Sequence, residues 1–196
     1  MSLPTLDAFT VSTRYGRNET TYDVRQPGGS AVVVRLHKAS QYDSRYPLTA
    51  LTGPQLDVPA GYVNAFGAYG LDKNRTASVT SERRAFGVRR WRIDRPQLTG
   101  KPAGLSALRY RFPLSLVLTG GPANYVLPFT LRFAGPNSTG FTVVRRAGLR
   151  ARFTVTIHDP GLDRLVVLAA VVALSTYEST DFRQEAVDAT ANPFKS

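Results

Sequence analysis

The most restrictive stretch in this chain is Leu165-Val-Val-Leu-Ala-Ala-Val-Val-Ala-Leu174, ten consecutive residues without a polar side chain. Asp159-Pro160-Gly161 and Asp163 precede it. Asp caps helix N-termini and Pro suits the first helical position, so the segment reads as a helix opened at Asp159, with Asp163 in its first turn. A helix that is apolar all round must be buried all round. Packing against one face of a sheet would leave its far side in water. The run is also well short of the roughly 20 residues that a bilayer-spanning helix needs. A β-barrel closed around the helix meets both constraints. A central strand is the competing assignment for so Val-rich a run, but length and cap favour helix.

Most of the remaining sequence reads as strands separated by turn residues, the pattern of a mainly β domain. Phe9, Val11 and Thr13 alternate in a first strand, and Tyr22–Arg25 leads through Gln26-Pro-Gly-Gly-Ser30 into Ala31–Leu36, a hairpin. Residues 40–61, with three prolines, read as a long connection. Further strands are expected at 62–69, 76–82, 86–94, 106–119, 125–133, 141–146 and 149–158. The last is the clearest: Leu149, Ala151, Phe153, Val155 and Ile157 share one face, and Arg150, Arg152, Thr154, Thr156 and His158 the other. Gly120-Gly121-Pro122 and Ala134–Asn137 mark turns, and Pro113 and Pro128 mark edges or bulges. The chain divides into one domain, 1–178, and an acidic tail, 179–196.

Charge then narrows the function classes. The 196 residues carry 25 Lys+Arg against 14 Asp+Glu, a net +11, and Arg outnumbers Lys 21 to 4. Residues 75–152 hold 15 of the basic side chains and only Glu82 and Asp94 as acids, whereas 1–74 is nearly neutral and 153–196 is acidic. Arginine favours bidentate contact with phosphate and carboxylate. In the 83–95 segment, alternation turns Trp91 and Ile93 inward and Arg90 and Arg92 outward, with Arg83 and Arg84 near the preceding turn. Arg145 and Arg146 flank the turn at Ala147-Gly148, and Arg150 and Arg152 follow on the outer face. These eight arginines form the candidate anion- or lipid-binding set. A solvated barrel wall would carry the same residues with no partner at all.

Three segments resemble the tubby C-terminal-like superfamily, in particular its LURP-one-related and phospholipid scramblase-like branch. They are Tyr22-Asp-Val-Arg-Gln-Pro-Gly-Gly-Ser-Ala-Val-Val-Val34, Arg83-Arg-Ala-Phe-Gly-Val-Arg-Arg-Trp-Arg-Ile93, and Phe153-Thr-Val-Thr-Ile-His-Asp159 leading into Asp163-Arg-Leu-Val-Val-Leu-Ala-Ala-Val-Val-Ala-Leu174. The resemblance implies a roughly 12-stranded antiparallel closed barrel around a central hydrophobic C-terminal helix. It also implies binding to phosphoinositide-like anionic headgroups through basic side chains. Scramblase activity is not expected: there is no cysteine run for lipidation, the helix is short, and Asp159 and Asp163 are too few for calcium, which takes 6–8 oxygen ligands.

No catalytic constellation is legible. With no cysteine and only His37 and His158, a thiol nucleophile and a multi-His metal centre are excluded. Gly-x-Ser-x-Gly, Walker and dinucleotide motifs are absent, and the acids are too scattered for paired-carboxylate hydrolysis. The expectation is therefore a non-enzymatic, cofactor-free module. Its expected partner is an anionic membrane surface or phospholipid headgroup, with a nucleic acid or a protein bound through the same basic face as the alternative. The N-terminus lacks a signal-peptide pattern, so a cytoplasmic protein, peripheral to the inner membrane surface and without a transmembrane span, is expected.

Overall fold

A computed structural model describes residues 3, 6–15, 20–38, 47–83, 89–109, 128–147 and 152–178. The strands are β1 (Ala8–Tyr15), β2 (Thr20–Arg25), β3 (Val32–Lys38), β4 (Leu48–Thr52), β5 (Val58–Asn64), β6 (Gly67–Tyr69), β7 (Arg75–Arg83), β8 (Arg89–Ile93), β9 (Leu98–Pro102), β10 (Phe129–Gly135), β11 (Ser138–Arg145) and β12 (Arg152–Ile157). Two helices, α1 (Leu105–Arg109) and α2 (Arg164–Glu178), complete the described elements. Each strand pairs antiparallel with its neighbours in sequence, and β12 returns to β1 through Phe9 opposite Val155 and Ser12 opposite Arg152. The result is a closed 12-stranded up-and-down antiparallel barrel, which leaves no free sheet edge.

Period-two alternation decides what fills it. Phe9 and Val11, Trp91 and Ile93, Leu131 and Phe133, Phe141 and Val143, and Phe153, Val155 and Ile157 are all buried, as the alternation in β8 and β12 led one to expect. Phe133 and Phe141 stack across β10 and β11 with centroids 4.6 Å apart. The β2–β3 hairpin turns at Gln26-Pro27-Gly28-Gly29, where the Gly29 N–H donates to Gln26 O at 3.1 Å and Gly28 has φ +75°. A type II turn asks for Pro followed by Gly in that order.

Helix α2 is the plug. Every residue from Arg164 to Ser175 is buried, and the helix lies closest to β5, β6 and β7. Its N-cap is Asp163, whose Oδ1 accepts from the Leu165 N–H at 2.9 Å. Asp159, expected to open the helix, instead closes a separate turn, accepting from the N–H groups of Gly161 (3.0 Å, side chain) and Leu162 (3.1 Å, main chain). Two Asx sites compete here, and the one adjacent to the continuous apolar run wins. Arg164 is 6% exposed and donates to the carbonyls of Leu6, Pro160 and Leu162, which ties the start of the plug to the start of the chain. A Cβ on Gly61 of β5 would lie 2.5 Å from Leu165 Cδ1 and 2.9 Å from Tyr69 O, so wall and plug touch through a missing side chain.

Several sequence expectations need correction. The 40–61 connection contains all of β4 and the start of β5. Residues 62–69 are the end of one strand, a turn at Ala65-Phe66 and a second strand; Asn64 Oδ1 accepts from the Phe66 N–H at 2.9 Å. Strand β9 was not foreseen, and 105–109 is helical where a strand from 106 was expected. The expected strand portions at 86–88, 110–119, 125–127 and 149–151, the turn at 120–122, Pro113 and the 179–196 tail lie outside the described residues. Among the described residues, no helix is long and apolar enough to cross a membrane.

Candidate anion-binding site

Because the strands alternate in direction, the odd-numbered strands all finish at one end of the barrel, opposite the end at which α2 enters. The β7–β8 and β11–β12 strand pairs therefore run the same way. They are not neighbours, since β9 and β10 stand between β8 and β11. At about 4.8 Å per strand, β8 and β12 are about 19 Å apart along the wall. The basic residues thus form two sectors rather than one patch.

The first sector is on β8, β9 and β10. Arg90 is half-buried opposite Glu82, and Arg92 is exposed, with Nη1 3.3 Å from Glu82 Oε1. Two cations that sequence reading missed join them: Lys101 and Arg132 stand directly opposite one another across β9 and β10, both exposed. Like charges in that relation are destabilising. Their outward placement was readable in principle, since Arg132 interrupts the buried pair Leu131 and Phe133. Arg83 ends β7 opposite Arg89, while Arg84 and Arg150 lie outside the described residues.

Arg145 does not belong to an exposed set. It is 2% exposed, because β11 continues through it and the alternation that buries Phe141 and Val143 buries residue 145 as well. Arg146, one residue on, is exposed, and its N–H donates to Arg152 O at 2.9 Å.

The second sector grows out from Arg152. Across the closure Arg152 stands opposite Ser12, Ser12 opposite Asp23, and Asp23 opposite Arg35. Asp23 is fully buried on the outer wall because arginines cover it. Its Oδ1 accepts from Arg35 Nε at 2.8 Å, and its Oδ2 accepts from Arg25 Nη2 at 2.9 Å and lies 3.3 Å from Arg14 Nε. Arg25 also donates to Ser12 Oγ at 2.7 Å and to Ser30 O at 3.2 Å. Beside this cluster lies a groove of about 360 Å³, lined by Arg14, Arg25, Arg146 and Arg152 together with Thr10, Ser12, Thr13 and Thr154 and parts of Val11 and Phe153. Among the described residues, no carboxylate lines it. Arg14, Arg25 and Asp23 fall in the near-neutral first third of the chain, so a charge count by segment could not find them; only closure of β1 on β12 brings them to Arg146 and Arg152.

The histidines add no second site. His158 is exposed, with Nε2 2.8 Å from Thr142 Oγ1. Among the described residues, no group of three or more His, Cys, Asp or Glu converges.

Fold and site together define a helix-plugged, closed antiparallel barrel with an arginine-lined groove on its outer wall. Comparison with family models, with curated proteins and with solved structures gives no match.

Proposed function

We propose that this chain is a non-enzymatic binding module of the tubby-like, LURP-one-related type, which contacts anionic phospholipid headgroups and works at the periphery of a membrane. The observation that carries the reading is the groove, where four arginines from β1, β2 and the β11–β12 hairpin converge and no carboxylate is among the described lining residues. A juxtaposed basic residue contributes about 1 kcal/mol near an anionic leaflet, and the effect fades within a Debye length. Lys101 and Arg132 support the same reading, since an exposed like-charge pair gains stability when an anion covers it.

Vesicle co-sedimentation tests this. The protein should pellet with phosphatidylcholine vesicles containing a phosphoinositide, and stay in solution with phosphatidylcholine alone. Changing the exposed Arg146 and Arg152 to Glu should weaken pelleting at least about tenfold. Equal pelleting by this variant, or salt-sensitive binding to duplex or single-stranded DNA with no binding to vesicles, would overturn the proposal.

A further inference from the structure

We infer that the groove between β1 and β12 is a pocket for one phosphate group, either free phosphate or a phosphomonoester, and that Thr154 completes it. The inference rests on the anion-contacting reading above and adds to it a ligand class, two arginines from outside the basic hairpins, Arg14 and Arg25, and the hydroxyl of Thr154.

The guanidinium of Arg25 is held on three sides, by Ser30 O, Ser12 Oγ and Asp23 Oδ2. Three of its five N–H donors are used, which leaves two for a ligand at a fixed position. The carboxylate of Asp23 does not oppose an incoming anion strongly, because both its oxygens are engaged by arginines. One negative charge therefore faces Arg14, Arg25 and Arg35, with Arg146 and Arg152 in excess.

The second observation is independent of charge. Thr154 lines the groove on the outer face of β12, and its Oγ1 is buried without a hydrogen-bond partner among the described residues. Buried hydroxyls are normally paired. The Thr154 hydroxyl can donate, and the ligand that takes donors from every side is one made of acceptor oxygens. A phosphomonoester presents three terminal oxygens and a charge of about −1.5 to −2 near neutral pH. A carboxylate presents two oxygens and one charge. The groove, at about 360 Å³, is at the small end of ligand pockets and suits a headgroup better than a large cofactor.

Titration calorimetry with inorganic phosphate at low ionic strength tests the pocket directly. Saturable one-to-one binding is expected, weakened about tenfold in Thr154→Val by loss of one hydrogen bond to a charged group. Arg146→Gln/Arg152→Gln, both at exposed positions, should weaken it further, whereas Arg95→Gln, at an exposed arginine in the β8–β9 turn outside both sectors, should leave it unchanged. Vesicles containing phosphatidic acid, a monoester, and vesicles containing phosphatidylglycerol, a diester, then separate the sources: competition by the former alone identifies a lipid headgroup, and competition by neither a soluble phosphate. No saturable phosphate binding, or equal binding by wild type, Thr154→Val and Arg146→Gln/Arg152→Gln, overturns the pocket. Vesicle binding without phosphate binding overturns the pocket and leaves the broader reading standing. Phosphate binding without vesicle binding does the reverse.

Discussion

Asp23 shows how a single buried charge can organise a surface. A carboxylate moved out of water is costly unless its lone pairs are taken, and here three guanidiniums on three strands take them. Asp23→Asn should lower stability by about 2 kcal/mol, below the usual loss for a buried pair because Arg14 and Arg35 stay partly solvated; the midpoint of urea unfolding measures it. Gly61 gives a steric counterpart. Gly61→Ala drives a methyl into Leu165 and Tyr69 O and should cost about 2 kcal/mol or more. Gly28→Ala meets no atom within 4 Å and pays only for its positive φ, about 1 kcal/mol. If the two substitutions cost the same, close contact between wall and plug is not what selects glycine at 61. At this scale the sequence disclosed which way Trp91, Ile93 and Arg92 face, because neighbours two residues apart declare it. It misplaced Arg145, because where a strand ends is set by pairing with the next strand and not by residue 145 itself.

Elements were legible in proportion to the strength of their own periodicity. The plug was read from its composition alone, and its start was misjudged by one turn, at Asp159 rather than Asp163. Asp163→Ala should cost about 1 kcal/mol by removing the acceptor for the Leu165 N–H, and Asp159→Ala should leave the helix itself intact; thermal unfolding of both variants distinguishes the two roles. Ala169, Ala170 and Ala173 are fully buried, so small residues let the helix fit the lumen. Ala170→Leu should destabilise by about 1–3 kcal/mol through overpacking, despite an unchanged helix propensity. Strand β9 went unseen because Leu98-Thr-Gly-Lys-Pro is short and holds two residues that strands disfavour. Gly100 is there because Phe133 and Trp91 occupy the space of its side chain, with carbons 2.7 and 2.9 Å from a built Cβ. Such a reason lies in two other strands.

For the whole molecule, closure is the decisive event. It converts the charge-neutral N-terminal third and the basic middle third into neighbours across β1 and β12, and it sets β8 and β12 about 19 Å apart along the wall. Mutations that far apart should act independently. The Arg90→Glu/Arg92→Glu and Arg146→Glu/Arg152→Glu variants should therefore weaken vesicle binding by factors that multiply when combined, as co-sedimentation would read. If either pair alone removes all binding, only one sector meets the surface.

What the sequence determined by itself was the need for closure. An all-round apolar helix has no stable place in a small β protein except inside a barrel, and alternation in the surrounding strands supplies the lining. Which arginines share a site was decided only by the tertiary structure. Strand order, strand ends and register bring Arg152 opposite Ser12, and thereby to Asp23 and Arg25, more than a hundred residues away in sequence. Hydrophobic periodicity is a local property that each segment carries alone, whereas a cluster of charges exists only between segments.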